Sequence, residues 1–181
     1  LPLAKQAVAL DPSLSYAIKL NELIHYQLSV KQLAAKNFNA ARQSLGVALQ
    51  SAPRSPDFLK LQADIEIATS NHNQLEQVLA IIAEHHPNTG LANALKGDSL
   101  MKQQAYDAAL SQYQTAWKKQ PNDRLALKLS ALLKRAGDKV ALDEFYQDWI
   151  QALPNAIEPY ARQAQRANAQ GDRPLAISLY E

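Results

Sequence analysis

Apolar residues recur along this chain in steps of three and four, the period of a helix with one buried face, and not in the steps of two that mark a strand. Ala41, Leu45 and Ala48 follow that step, as do Leu75, Leu79 and Ile82, and again Ala109, Tyr113 and Ala116. The stretch from Ser15 to Ala35 reads as one longer helix, with Tyr16, Leu20, Leu23, Ile24, Leu28 and Ala35 expected on its buried stripe. Its first two turns are expected to project beyond the neighbouring helices.

Prolines punctuate the pattern. Pro12, Pro53, Pro87, Pro121 and Pro154 each follow an apolar stretch, at spacings of 41, 34, 34 and 33 residues. Proline removes a backbone donor and disfavours helical geometry in the residue before it, so each closes one helix. The excess of seven in the first spacing is close to two helical turns and preserves the buried face. Caps and breakers place the other boundaries. Asp11-Pro12-Ser13, Ser55-Pro56-Asp57, Asn88-Thr89-Gly90 and Glu158-Pro159 open first helices, whereas Lys36-Asn37, Ser70-Asn71, Gly137-Asp138 and Gly171-Asp172 are turns inside hairpins. First helices are expected from Ser15, Pro56, Gly90, Asp123 and Ile157, with about eleven helices in all.

A repeat near 34 residues built from two helices is the period of the tetratricopeptide (TPR) motif. The segment 90–123, GLANALKGDSLMKQQAYDAALSQYQTAWKKQPND, resembles that motif at Gly97, Tyr106, Ala109, Tyr113, Ala116 and Pro121. Small residues there allow two antiparallel helices to approach within roughly 8–10 Å. Tyr106 and Tyr113 are expected to fill the gap between this hairpin and its neighbours. In the segment ending at Pro154, Trp149 stands where alanine is usual, and is expected to wedge its hairpin apart or turn toward the next repeat. The fold class is therefore expected to be all-α, a right-handed superhelical solenoid of TPR repeats forming one continuous array over 1–181. Its repeats are 1–14 (partial), 15–55 with the extended first helix, 56–89, 90–122, 123–156 and 157–181 (partial).

A narrower likeness is carried by GDSLMKQQAYDAALSQYQTAWKKQPND, LALKLSALLKRAGD, FYQDWIQALPN and AQGDRPLAISLYE taken in order. This run resembles the bacterial PEP-CTERM and exopolysaccharide-associated TPR lipoproteins (PrsT-like). That resemblance implies a periplasmic or envelope-associated protein, anchored by lipid at a distant N-terminus and serving an export or sorting system; a cytoplasmic location is the alternative. The chain opens at Leu1 without methionine and ends at Glu181 inside an amphipathic pattern, so it is expected to be a piece of a longer protein.

Composition narrows the chemistry. Nineteen basic against seventeen acidic residues leave a net charge of +2, too weak a field to argue for nucleic acid or an anionic membrane surface. No cysteine occurs, which excludes disulfides, thiolate metal sites and a cysteine nucleophile within this segment. No apolar run reaches the roughly 20 residues that span a bilayer. The five glycines are isolated and form no phosphate loop. His85 and His86 are adjacent, point about 100° apart and cannot share a metal as an i, i+4 pair would; they are expected to be solvated at a helix end. His25 is expected to be packed and hydrogen-bonded, and His72 exposed. Acidic pairs such as Asp143-Glu144 have no partner pattern that would set one carboxyl apart as a general acid. No catalytic residue, cofactor or metal is therefore expected.

TPR precedent implies that the first helices line a concave face, with Lys60, Asp64, Asp98, Met101, Lys102, Arg124, Lys134, Arg135, Glu158, Gln165 and Asn168 directed into it. Arg124, Lys134 and Arg135 form the basic end, where a partner with acidic or carbonyl-rich backbone is expected to dock. The five-site carboxylate clamp of chaperone-binding TPR proteins is not reproduced. The expected function is a scaffold or adaptor holding a peptide or partner domain. The alternatives are a structural spacer between flanking domains and a substrate-recruiting array for a catalytic domain outside the segment.

Overall fold

The computed structural model describes residues 11–179. The partial repeat expected over 1–14 therefore lies outside the described residues up to residue 10, as does Tyr180. Among the described residues there are ten helices and no strand: α1 (Pro12–Ala34), α2 (Phe38–Ser51), α3 (Pro56–Thr69), α4 (His72–His85), α5 (Leu91–Lys102), α6 (Tyr106–Lys119), α7 (Asp123–Ala136), α8 (Lys139–Ala152), α9 (Ile157–Ala169) and α10 (Arg173–Ser178). First helices start at or within three residues of the expected positions.

Every hairpin turns through one residue in the left-handed region: Lys36, Ser70, Gln104, Gly137 and Gly171, with φ of 60°, 56°, 61°, 74° and 83°. These residues stand 34, 34, 33 and 34 apart, so the repeat is written in the backbone even where the side chain is unsuited to it. Glycine relieves that strain at two of the five positions only. The residue after each is the N-cap of the second helix, and Asn71, Asp138 and Asp172 each accept a hydrogen bond there, from the backbone N–H of Gln74, Ala141 and Leu175. Such a cap satisfies one of the amide donors that the first helical turn leaves over.

The chain divides into two compact units, residues 1–87 and 88–181. In the first, α1 packs on α2, α2 on α3 and α3 on α4. Ala41, Leu45, Leu61 and Ile65 form a core joined by Leu33, Leu49 and Phe58, and the Tyr26 ring stacks on Phe58 at 5.3 Å. The seam between α1 and α2 is partly polar: the Ser29 hydroxyl donates to the Ala41 carbonyl (2.9 Å) and that of Ser44 to Gln32 Oε1 (2.8 Å). This reverses the face assigned to α1 from sequence. Tyr16 is 72% exposed and Leu20, Leu23, Ile24, Leu28 and Ala35 are exposed as well, whereas Ser29 and Gln32 bond to α2, Leu33 packs on the core and Tyr26 stacks on Phe58 of α3. The helix carries apolar residues on all sides, so periodicity does not choose the face. Two hydroxyl bonds and a tyrosine stack choose it instead. His25 Nδ1 is buried without a hydrogen-bond partner, contrary to expectation. His86 Nε2 donates to the Arg54 carbonyl at 2.7 Å, tying the end of α4 to the loop before α3 rather than simply meeting solvent.

In the second unit each helix packs on the next from α5 to α10. Ala109, Tyr113, Ala116, Trp117, Leu125, Ala126, Leu129, Leu132, Trp149 and Ala156 form its core. Ala109 and Ala116 are 0% and 1% exposed, the small positions that let helices approach. Gly97 lies directly under the Tyr113 ring, where a Cβ would come within 2.4 Å of it. Tyr113 therefore fills space inside its own hairpin as well as toward the next one, where Lys128 of α7 lies over its ring, and its hydroxyl donates to Asp98 on α5 at 2.5 Å. Trp149 is fully buried, its indole N–H donating to Asp123 Oδ1 (3.1 Å) at the start of α7. It points across its own hairpin, not toward the next repeat, and the α7 and α8 backbones approach less closely than those of α5 and α6.

Candidate functional site

Three consecutive helices of the second unit enclose an open groove of about 750 Å³. Helix α7 buries Leu125, Ala126, Leu129, Leu132 and Leu133, which turns Leu127, Ser130, Ala131 and Lys134 toward the groove at helical steps. Helix α8 supplies Lys139, Leu142, Asp143 and Tyr146, and α9 supplies Glu158, Arg162 and Arg166 from a row of i, i+4 neighbours.

The floor is firm. Tyr146 lies nearly parallel to Trp149 at 6.3 Å between ring centres, Phe145 sits 6.1 Å from Trp149 and 5.3 Å edge-on from Trp117, and the Trp117 indole donates to Asp148 at 2.6 Å. Aromatic contacts of this kind add to the area that the rings bury. Burial pushes the Tyr146 phenol above its ordinary value; Arg162 pulls it down, while Glu158 and Asp143 push it further up. A neutral phenol and the apolar surfaces of Leu127, Ala131 and Leu142 thus meet whatever enters.

The walls are charged. Arg162 pairs with Glu158 at 2.8 Å within α9, and Arg166 pairs across helices with Asp143 of α8. Lys134 and Lys139, on either side of the α7–α8 turn, also line the groove.

Of the eleven residues named from sequence, the structure brings Lys134 and Glu158 into this groove. Lys60 and Asp64 belong to the first unit and pair with each other at 2.6 Å. Asp98 is engaged by Tyr113 and by Lys128, whose ammonium also sits 5.2 Å from the Tyr113 ring centre. Burial first, and then that bond to Asp98, push the Tyr113 phenol well up. Met101 packs against the core, and Lys102 and Arg124 are exposed. Arg135 does not join Lys134. Its guanidinium lies over Tyr106 at 3.8 Å, in a separate hollow bordered by Gln104, Leu110 and Leu132. Adjacent helical residues diverge by about 100°, so the expected basic row Arg124, Lys134 and Arg135 is not one surface. Gln165 and Asn168 are exposed but outside the groove, because α9 presents its Glu158, Arg162 and Arg166 edge instead. The i, i+4 row on α9 was visible in the sequence; the contributions of α8 were not, because second helices are not expected to reach this face. Among the described residues no three His, Asp or Glu side chains are grouped as metal ligands, and no helix is long and apolar enough to cross a membrane.

No protein-family model matches the sequence, and no curated protein matches it either. Solved structures do share the fold. PilF of Pseudomonas aeruginosa superposes with a TM-score of 0.59 at 15% identity, covering 91% of this chain and 75% of that one. TTC0263, described as a thermophilic TPR protein of Thermus thermophilus, gives 0.56 at 16%, covering 88% of each chain. A chain from the structure of Naa15/Naa10 bound to HypK-THB gives 0.61 at 14%, covering 87% of this chain and 24% of that one. The chain therefore has the all-α fold of TPR solenoid proteins. At these identities the likeness shows the fold and nothing narrower.

Proposed function

We propose that this chain is a non-catalytic scaffold that holds a segment of another polypeptide in the groove formed by α7, α8 and α9. The observation that carries this reading is the groove itself: an apolar, aromatic-backed floor between charged walls, wide enough at about 750 Å³ for several side chains. Concave sites with an apolar lining and a few directed polar groups are the usual form of a binding site. Support also comes from the solved Naa15/Naa10 structure, where a chain of this fold stands in a complex with HypK. The setting we propose is the bacterial envelope, in export or sorting of protein or polysaccharide, on the strength of the sequence likeness to the PEP-CTERM-associated TPR lipoproteins.

A photo-crosslinking amino acid placed at Ala131 in the full-length protein, in its native cells, tests the groove. A discrete protein adduct from Ala131, absent when the same residue is placed at Gln165, is the expected result. Equal adducts from both positions, or none, would overturn the reading. Fractionation of the same cells tests the setting: recovery with the envelope is expected, and recovery in the cytosol would remove it.

A further inference from the structure

The charges around the groove are unbalanced, and the imbalance is localised. Four cations line it, Lys134, Lys139, Arg162 and Arg166, against two carboxylates, Asp143 and Glu158. Both carboxylates are already committed, Glu158 to Arg162 and Asp143 to Arg166. The acid closest in sequence to Lys139 is Asp138, whose carboxylate caps α8 by accepting the Ala141 amide hydrogen. Among the described residues the side-chain ammonium groups of Lys134 and Lys139 form no ion pair or hydrogen bond. They flank the α7–α8 turn beside Leu142, so two uncompensated ammonium groups border an apolar surface.

Resting on the scaffold reading above, we propose that the groove takes an acidic peptide segment, with an Asp or Glu side chain satisfying Lys134 and Lys139 and a neighbouring apolar side chain lying on Leu127, Leu142 and Tyr146. Charge complementarity selects this occupant. A basic segment would face a net positive wall, and a purely apolar one would cover the two ammonium groups without pairing them, which costs more than leaving them in water. Lysine suits the task because its ammonium is a compact charge on a flexible stem, able to meet a carboxylate in many orientations. Arg162 and Arg166, held by their own acids, shape the far wall instead. Attraction between such groups is strengthened where the groove excludes water and weakened by salt.

The test uses the full-length protein and a displayed library of random peptides about twelve residues long. Peptides enriched in Asp or Glu next to Leu, Ile, Phe or Trp are expected. Their affinity should fall about tenfold or more in the Lys134→Glu, Lys139→Glu double variant and fall with added salt. The same charge change at exposed Lys118 and Lys119 should leave it nearly unchanged. Circular dichroism checks that each variant keeps its helices. Selected peptides that lose binding with Ala131→Arg yet carry no acidic bias would overturn the acidic ligand and leave the groove standing. Peptides indifferent to Ala131→Arg, or no enrichment at all, would overturn the groove itself.

Discussion

Between its two hairpins the first unit sets an ion pair beside the Ala41, Leu45, Leu61 and Ile65 core, at repeat positions where the second unit carries leucine. Glu66 of α3, only 2% exposed, receives two hydrogen bonds from Arg42 of α2, at 2.9 and 2.8 Å, and Arg42 also donates to Thr69 at 2.7 Å. That bonding raises the Arg42 pKa further, against the opposing effect of burial. Arg42 stands eleven residues before Pro53 and Glu66 twenty-one before Pro87; the residues at the same offsets before Pro121 and Pro154 are Leu110 and Leu133. The same repeat positions thus carry a charge pair in one unit and two leucines in the other. The repeat specifies where helices meet, and leaves open whether charge or apolar surface fills the meeting point. A pair of this kind offers modest net stability over well-packed leucines but penalises the loss of either partner heavily.

The largest effect expected from breaking the contrast is in the aromatic unit. Trp149→Ala empties the centre of the Phe145, Tyr146 and Trp149 cluster and orphans Asp123, and should cost about 3–5 kcal/mol. Urea denaturation followed by the remaining Trp117 fluorescence measures it, and a loss below about 1 kcal/mol would show the cluster to be dispensable. In the first unit, Arg42→Leu strands a buried carboxylate. About 3 kcal/mol is expected, at the low end for a broken buried pair because a third of Arg42 is exposed. The double variant Arg42→Leu, Glu66→Leu should recover most of that, since it places leucine where the second unit has Leu110 and Leu133. Hydrogen exchange of the α2 and α3 amides locates the change, and a double variant no better than the single one would refute the equivalence.

A smaller effect is expected at Gly97, where alanine would press on the Tyr113 ring and cost about 1–3 kcal/mol by overpacking. Melting temperatures of Gly97→Ala with and without Tyr113→Leu check it, since the second change should relieve part of the first. The smallest effect runs the other way. Gln104 adopts at φ 61° the conformation that Gly137 and Gly171 hold without strain. Gln104→Gly should therefore stabilise the α5–α6 hairpin by up to about 1 kcal/mol, visible as a rise in the urea midpoint; an unchanged or lower midpoint would mean that the side chain already offsets the strain.

What was legible in the sequence is what local chemistry decides. Prolines, caps and helical steps are properties of a few consecutive residues, and they gave the helices, four of the five hairpin turns and the period, including the extended α1; the turn at Gln104 carries no glycine or asparagine to mark it. Gly97, Ala109 and Ala116 were readable as close-contact positions because a missing side chain leaves few other roles. The buried face of α1 was not readable, since its apolar residues surround the helix and only Ser29 and Gln32 bonding to α2, with Tyr26 stacking on Phe58 of α3, resolve the choice. Nor was the groove. Its floor depends on Trp149 turning across its own hairpin to Asp123, and its walls on Asp143 of α8 reaching Arg166 of α9, pairings between residues more than twenty positions apart. Spacing along a helix tells which residues share a face; which faces confront each other, and which charges are left unpaired when they do, is fixed only when helices pack.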